Sequence, residues 1–427
     1  MSRRVLLLLP TTTYKARDLL EAAERLAVEV VVGSDRRQAL ERTTPGHTVA
    51  LDFSDPERGV RQIVALHRSD PFRAVLGVDD ESCILAAMAG EALGLRHNPV
   101  AAVRAARNKH ETRCLQARAG LRCPGFRKVP LGAPPAEIAR EVGYPCVLKP
   151  LSLGAGRGVL RADDPHEFVR SFRRIEAILR DPETRRGNEH ADHLLVEDYL
   201  PGAEVALEGL LVEGRLRALA LFDKPDPLCG PTFEETIYVT PSGLPETTRS
   251  AVFEEAQDAC RALGLRAGPV HVELRLHRDR PWLIEAAARS IGGLCSRALR
   301  FGAGISLEEL ILRHALGMET EELQRERRPS GVMMIPIPRA GVLREVRGLE
   351  AARAVEGIEE VTLSTHRGAE LVPLPEGHRY LGFIFARAST PTRTEAALRE
   401  AHSRLEFSVE PAISRAGSTG SRRRRDR

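Results

Sequence analysis

Two glutamates in the second half of the chain have a spacing that suits a metal site. Glu273 stands two residues after His271 in an alternating apolar run, and Glu285 stands in a second run after the turn at 279–281. A strand places alternate side chains on one face, so a hairpin would bring the two carboxylates together. Adjacent carboxylates repel each other unless a cation separates them, and oxygen ligands suit Mg²⁺. The alternative is two exposed strand carboxylates without a ligand.

Arg289 adds a permanent positive charge four residues after Glu285. A guanidinium at this point can neutralise a transferring phosphoryl group or an oxyanion. An ordinary surface arginine is the competing interpretation. His271 could face the same site or could be a satisfied core histidine.

A lysine followed by a glycine-rich loop could hold phosphate. Lys149 ends a short apolar run, and Ser152, Gly154 and Gly156 follow it. Glycines let backbone N–H groups approach phosphate oxygens, and the ammonium supplies charge. The P-loop pattern is not met, because no Gly-Lys-Ser/Thr closes the loop. Taken alone, the loop is equally compatible with an ordinary turn.

A third segment combines acidic and aromatic residues around a turn. Glu197, Tyr199 and Leu200 precede Pro201-Gly202, and Glu204 follows it. By itself this order predicts only a hairpin.

The elements that must position these residues are those of an α/β protein. Residues 1–107 alternate short apolar runs with amphipathic stretches, which predicts a parallel sheet covered by helices. No GxGxxG follows the first apolar run, which argues against a dinucleotide site. Residues 108–316 hold the three segments, and residues 330–412 form a small α/β unit.

Taken together and in this order, the segments resemble the ATP-grasp superfamily. The resemblance spans about residues 1–316 and implies an N-terminal parallel-sheet (pre-ATP-grasp) domain at 1–107, followed by a two-lobed ATP-grasp core at 108–316. The lobes would cover about 108–190 and 191–316. The residues that carry the resemblance are Lys109 at a helix start, Lys149, Gly154, Gly156, Glu197 through Glu204, Glu273, Glu285 and Arg289.

The resemblance implies a role for each of these residues. Lys109 and Lys149 would contact the phosphates of ATP, and Glu273 and Glu285 would hold Mg²⁺, with Mn²⁺ able to substitute. Arg289 would steady an acyl-phosphate and the tetrahedral intermediate. The other nucleotide contacts would be Ser152, Gly154 and Gly156 in the closing loop, Glu197, Tyr199 and Leu200 at adenine, largely through backbone groups, and Glu204 at the ribose.

One departure points to a branch of the superfamily. Many members carry an asparagine ligand two residues after the second metal-binding glutamate, where this chain has Ala287. The L-amino acid ligases, which make dipeptides, resemble this chain there and in the phrases at 223–241 and 380–387. This extends the resemblance to about residue 412 and implies a C-terminal lid domain at 330–412. The metal shell would then be completed by Glu285, phosphates or water.

Five residues are candidates for substrate contact within this resemblance. A carboxylate can hold an α-ammonium group, a lysine can meet a phosphate or carboxylate, and glycines leave room for a ligand. Solvated loops and plain turns are the alternatives. The candidates are Lys224, Glu235, His271, Gly292 and Gly293.

Composition narrows the class of protein further. Five arginines and one aspartate after residue 416 account for the net charge of +4, which leaves the rest of the chain near neutrality. A neutral body argues against nucleic-acid binding, and we expect 416–427 to be a disordered basic tail. Seven scattered cysteines without a CxxC suit a reducing cytoplasm, and no apolar run approaches a membrane span. A homodimer is the expected assembly.

These observations predict an ATP- and Mg²⁺-dependent carboxylate–amine ligase. The enzyme would phosphorylate a carboxylate and couple it to an amine, joining L-amino acids into a dipeptide with release of ADP and phosphate. Two alternatives stay open. One is a bicarbonate-activating enzyme of the carboxylase type, and the other is a non-catalytic ATP-binding sensor on the same frame.

Overall fold

The N-terminal part of the chain is a four-stranded parallel sheet with helices packed on it. The structure is a computed structural model that describes residues 3–36, 47–320 and 322–411. The first strand is buried along its whole length, as expected of a central parallel strand, and the sheet order is β3-β2-β1-β4. The prediction of a parallel sheet is therefore confirmed. The elements are β1 (Arg4–Leu8), α1 (Ala16–Arg25), β2 (Glu29–Ser34), β3 (Thr48–Ala50), α2 (Pro56–Ser69), β4 (Ala74–Gly77), α3 (Asp80–Leu93) and α4 (Val100–Arg107).

The next unit is a small antiparallel sheet of order β5-β8-β6-β7 covered by a long helix. The helix buries Phe168, Phe172 and Ile175, which share one face because they are three or four residues apart. The last strand lies beside the first, so β8, which ends at Asp198, belongs to this sheet. Its elements are α5 (Lys109–Arg118), β5 (Phe126–Pro130), α6 (Pro135–Glu141), β6 (Cys146–Pro150), β7 (Leu160–Ala162), α7 (Pro165–Arg180), α8 (Pro182–Arg185) and β8 (His193–Asp198).

The following segment supplies most of a larger sheet and the helices behind it. Its long strands pair as antiparallel neighbours, and helix α9 packs its buried face against them. The elements are β9 (Ala203–Val212), β10 (Arg215–Lys224), β11 (Ile237–Thr240), α9 (Glu246–Leu263), β12 (Gly268–His277), β13 (Arg280–Ala287), a 3₁₀ helix (Cys295–Ala298), β14 (Arg300–Phe301), β15 (Ile305–Ser306) and α10 (Leu307–Ala315).

The C-terminal α/β unit continues the same large sheet. Strand β11 pairs with the first strand of this unit, so one sheet of eight strands runs in the order β13-β12-β9-β10-β11-β16-β20-β18. Three further strands form a separate small sheet, β19-β17-β21. The elements are β16 (Ser330–Ile335), β17 (Gly341–Arg347), α11 (Leu349–Arg353), β18 (Ile358–Leu363), β19 (Glu370–Leu371), β20 (Gly382–Arg387), α12 (Pro391–Ser403) and β21 (Glu406–Glu410).

Two sequence predictions remain untested, and a third, on membrane spans, can be compared only with the described residues. The basic tail at 416–427 lies outside the described residues and stays a prediction. Within those ranges, the structure contains no helix with the length and apolarity of a bilayer span. The predicted domain boundaries also stay predictions.

Candidate active site

A cavity of about 190 Å³ lies where the two lobes, the C-terminal unit and the loop after β13 meet. Most of the residues selected from the sequence line it, although they come from separate segments. Ser152 and Lys224 do not line it. The predicted site residues on its wall are Lys109, Lys149, Gly154, Gly156, Glu197, Tyr199, Leu200, Glu204, Glu235, His271, Glu273, Glu285, Arg289, Gly292 and Gly293.

Lys149 is held at the cavity wall by a buried carboxylate. Its Nζ donates to Glu197 Oε2 at 2.5 Å, and Arg113 Nε donates to Glu197 Oε1 at 2.7 Å. Burial would raise the pKa of Glu197, but the charges of Arg113 and Lys149 outweigh it and lower this pKa to about 2. Glu197 therefore stays ionised and fixes the ammonium group on strand β6. The sequence missed Arg113, which stands 84 positions from its partner.

Lys109 begins helix α5 and reaches the cavity from the opposite side. The side chain of Asn108 caps this helix by accepting from the N–H groups of His110 and Glu111. Lys109 Nζ donates to the carbonyl of Leu153 at 2.9 Å and lies 3.1 Å from Glu285 Oε2. One lysine thus touches both the glycine-rich loop and the acidic hairpin.

The glycine-rich loop is held in place through its backbone. Gly156 and Gly158 have positive φ angles of 68° and 71°, and a Cβ on Gly158 would lie 2.7 Å from Pro150. The N–H of Gly158 donates to the carbonyl of Pro375 in the C-terminal unit. Ser152 does not line the cavity, and its hydroxyl donates to Asn188 Oδ1 at 2.8 Å. The contact of Ser152 with phosphate stays a prediction.

Glu204 has both of its carboxylate oxygens occupied. Lys224 Nζ donates to Oε1 and Arg275 Nη2 donates to Oε2, each at 2.7 Å. Arg275 also donates to the carbonyl of Leu200 at 2.9 Å, and its guanidinium carbon lies 5.7 Å from the centre of the Tyr199 ring. These contacts join the turn at 199–204 to strand β12, and the sequence did not single out Arg275.

Glu273 and Glu285 stand directly opposite each other on strands β12 and β13. The predicted hairpin is therefore confirmed. His271 Nε2 lies 3.3 Å from Glu273 Oε1, and its Nδ1 lies 3.1 Å from Glu208 Oε2. Burial would lower the pKa of His271, but its bonds to these two carboxylates raise it to about 9. His271 is therefore a cation at neutral pH and belongs to the cavity wall.

A buried lysine gathers three carboxylates at one end of the cavity. One oxygen from each of Glu204, Glu235 and Glu273 lies within 4.8 Å of the others, and Lys224 Nζ contacts all three groups. Burial and the charge of Glu273 raise the pKa of Glu235 to about 7 in spite of Lys224. Burial also opposes the ionisation of Glu273, but Lys224 and His271 hold its pKa well below the usual range. Lys224, which does not line the cavity, thus offsets the negative charge of these three glutamates.

Arg289 forms a bidentate ion pair with Asp80 of the N-terminal domain. Asp80 Oδ1 accepts from Arg289 Nε at 3.0 Å, and Oδ2 accepts from Nη2 at 2.9 Å. Burial alone would raise the pKa of Asp80, but the arginine lowers it. The sequence missed Asp80. The available signal was an aspartate just after β4, at the carboxyl end of a parallel strand, where ligand-binding residues collect.

The remaining wall of the cavity is apolar. Gly292, Gly293, Cys295, Met334 and Tyr380 contribute to it. The C-terminal unit supplies the last two of these residues, so the cavity is built from both lobes and the C-terminal unit.

Three family descriptions match successive parts of the chain. The "ATP-grasp N-terminal domain" matches residues 20–97, the "ATP-grasp domain" matches 142–298, and the "L-amino acid ligase C-terminal domain 2" matches 333–410. Alanine–anticapsin ligase of Bacillus subtilis is 28% identical over 277 residues, which cover 61% of this chain and 58% of that protein. The chain thus matches less than two thirds of the length of this relative.

Solved structures share the architecture over nearly the whole chain. An L-amino acid ligase from Bacillus licheniformis has a TM-score of 0.81 and 28% identity, with 96% of this chain and 99% of that chain covered. N5-carboxyaminoimidazole ribonucleotide synthetase from Thermotoga maritima has a TM-score of 0.69 and 14% identity over 96% of this chain and 100% of that one. At that identity the second likeness concerns the fold alone.

Proposed function

Because the chain is built from ATP-grasp domains and ends in an L-amino acid ligase C-terminal domain, we propose that it joins two L-amino acids into a dipeptide at the expense of ATP. Ligases of this family use ATP and a divalent metal ion. One observation carries the proposal: two lysines, two opposed carboxylates and one arginine converge on a single cavity. This combination suits phosphoryl transfer to a carboxylate, which depends on charge neutralisation and positioning.

In the proposed reaction, Lys109 and Lys149 bind the phosphates of ATP at the glycine-rich loop. Tyr199 and Leu200 contact the adenine, and Glu204 faces the ribose. Glu197 acts mainly by holding Lys149, because both of its oxygens are already bonded. This side-chain role is compatible with the adenine contact, which the resemblance assigns largely to backbone groups of this segment.

Glu273 and Glu285 would hold the divalent ion, for which we propose Mg²⁺. Their fit rests on two hard carboxylate ligands at paired positions of one hairpin, both on the cavity wall, with Lys109 beside Glu285. The ion supplies charge neutralisation for the phosphate oxygens. Ala287 offers no ligand atom at the position where many ATP-grasp enzymes have asparagine.

The chemistry has two steps. A carboxylate oxygen of the first amino acid attacks the γ-phosphorus, the bond to the bridging oxygen breaks, and ADP leaves. The amine of the second amino acid then attacks the acyl carbon, the bond to the phosphate oxygen breaks, and phosphate and a proton are released. Arg289 lies at the cavity wall, where its guanidinium can neutralise the acyl-phosphate.

The substrates would lie at the end of the cavity formed by the second lobe and the C-terminal unit. Glu235 lines this end and can accept from an α-ammonium group, while Lys224 balances its charge from behind. His271 is cationic and holds Glu273. Gly292 and Gly293 leave space for a side chain beside Met334 and Tyr380. The homodimer and the cytoplasmic location remain predictions.

The proposal is tested by phosphate release from ATP and Mg²⁺ with single L-amino acids and with pairs. Phosphate that appears only with pairs, together with a product mass equal to their sum less water, would support it. Glu285→Gln should abolish this release while circular dichroism stays unchanged, and the exposed Glu246→Gln is its matched control. Release that depends on bicarbonate would favour the carboxylase alternative, and ATP binding without any release would favour the sensor.

A further inference from the structure

We propose that Lys15 and Asp80 of the N-terminal domain are positioning residues that fix the orientation of Arg289. The inference rests on the proposed function for the role of Arg289 in neutralising the acyl-phosphate. Neither residue lines the cavity, so both would act through the arginine and its neighbour Ser290.

Lys15 is a buried cation that spans two domains. It stands just before α1, is 2% exposed, and donates from Nζ to three oxygens: the carbonyl of Val78 at 3.3 Å, the carbonyl of Ser290 at 3.2 Å and the hydroxyl of Ser290 at 3.1 Å. Among the described carboxylates, none lies within 4.0 Å of this ammonium group. Burying a charge without a counterion is costly, so its three bonds must hold it tightly to Ser290.

A small cavity beside Lys15 supports the same interpretation. Its volume is about 20 Å³, and Lys15, Ser290 and Glu308 contribute to its wall. Glu308 is 3% exposed, and its Oε1 has no protein partner. A space of this size holds one water molecule, which can bridge the ammonium group and the carboxyl group.

Asp80 and Lys15 meet at the arginine from two sides. Asp80 binds Nε and Nη2 of Arg289, while Nη1 donates to the carbonyl of Ser290 at 3.1 Å. The same carbonyl accepts from Lys15. The plane of the guanidinium is therefore set by the N-terminal domain on one edge and by Ser290 on the other.

A guanidinium that is already oriented needs no rearrangement when charge develops on the acyl-phosphate. A small displacement of such a group can lower the rate by about 10²-fold, even when substrate binding is intact. The expected signature is thus a loss of kcat with little change in KM for ATP.

A purely structural link between domains would behave differently, and the chain provides one for comparison. Asp18 also belongs to α1 and accepts from Arg297 Nε and Nη2, each at 2.8 Å. Arg297 lies on the 3₁₀ helix behind the cavity and does not line it. Asp18→Asn is therefore the matched control for a contact between the same two parts of the chain.

The experiment compares Lys15→Met, Asp80→Asn and Asp18→Asn in the full chain. We expect the first two to lower kcat for phosphate release by about 30- to 100-fold, with KM for ATP within about threefold, and Asp18→Asn to change neither. Hydrogen–deuterium exchange gives a readout that does not need turnover. The amide of Ile291, which donates to Glu208 Oε2 at 3.0 Å, should exchange faster in the first two variants only.

The inference is overturned if Lys15→Met and Asp80→Asn retain kcat and leave the exchange of Ile291 unchanged. A loss of kcat shared by all three variants in proportion to their melting temperatures would also overturn it. Should Lys15→Met fail to fold, Asp80→Asn decides, because Asp80 is partly exposed. Should the wild-type chain release no phosphate with any pair, the proposed function fails, while the exchange of Ile291 still decides whether these residues fix the segment.

Discussion

The role of the Glu197 side chain depends on partners that neither its residue type nor its neighbours in the sequence reveal. The resemblance assigns its segment to the adenine, largely through backbone groups, and the structure shows in addition that its side-chain oxygens are bonded to Lys149 and Arg113. Both partners are more than 45 positions away, and no local pattern announces them. Glu273 and Glu285 were different, because a short turn between two alternating runs sets the register by itself.

Glu197→Gln is expected to destabilise the fold and weaken ATP binding together. The change leaves Arg113 buried with a neutral partner and removes the counter-charge of Lys149, and breaking a buried pair costs about 3 kcal/mol or more. Urea unfolding measures the loss, and nucleotide titration measures the affinity. Glu141→Gln breaks the exposed pair with Arg127 and should cost less than about 1 kcal/mol. Equal effects in the two variants would contradict the prediction.

His314 should make stability depend on pH between about 4 and 6.5. The N–H of Gly268 donates to its Nε2, and burial together with Arg96 lowers the pKa of His314 from 6.5 to about 4. The unfolded chain therefore binds more protons in this window. The contribution of His314 is fully present above pH 6.5 and is lost as the pH falls towards 4.

The melting temperature of the wild type should thus fall more steeply on acidification than that of His314→Asn. The two proteins are compared from pH 7.5 to 4.5, with the exposed His366→Asn as control. Parallel curves for the wild type and His314→Asn would show that this imidazole does not contribute.

At the scale of elements, the glycine-rich loop and the loop at 373–377 form one covering layer. Gly158 and Arg157 donate to the carbonyls of Pro375 and Glu376, and Arg174 on α7 binds the Glu376 carboxylate at 2.5 and 2.9 Å. The sequence indicated the glycine-rich loop but not the loop at 373–377. Their contact could not be predicted, because it joins residues about 200 positions apart.

Glu376→Gln should loosen this layer and raise KM for ATP by about fivefold at most, since the pair with Arg174 is partly exposed and worth about 1 kcal/mol or less. Little change in kcat is expected. Glu176→Gln breaks a comparable pair with Arg180 on the same helix and serves as control. An unchanged KM in Glu376→Gln would show that the loops hold their positions without this pair.

Strand β11 shows why some elements escaped the sequence. It has four residues and follows a Pro-rich loop, so neither its length nor its flanks distinguish it from an irregular segment. This strand forms because it pairs with β10 and β16. Strand β10 lies on the other side of the Pro-rich loop, and β16 lies far along the chain. Longer strands such as β9 and β12 were evident from their own apolar runs.

At the scale of the whole molecule, the parts are joined by charged contacts as well as by the sheet. Arg297 binds Asp18 of the N-terminal domain and Glu360 of the C-terminal unit, each at 2.8 Å. The order of the domains could be inferred from the motifs, because each motif belongs to a known part of the fold. The charged contacts between domains could not be inferred from the sequence, because they depend on how the domains finally pack.

Deletion of residues 416–427 should leave phosphate release and the melting temperature unchanged. The segment carries five arginines and one aspartate, a composition typical of a solvated end. Turnover and thermal unfolding of the full and shortened chains provide the test. A large loss of activity would mean that the basic tail docks on the enzyme.

The pairing of β11 with β16 restricts how relatives can exchange parts. A chimera joined between residues 316 and 330 would place a foreign β16 against the resident β11, and foreign Met334 and Tyr380 would complete the cavity wall. Such a crossover keeps the predicted catalytic residues of one parent and exchanges part of the cavity wall together with one strand interface. A crossover before α9, which keeps β9, β10 and β11 from one parent and takes β12 and β16 from another, would break two strand interfaces. A crossover at the N-terminal border, where a separate parallel sheet ends, breaks no strand interface, so hybrids there should be productive when both parents carry the lysine and aspartate found here at Lys15 and Asp80.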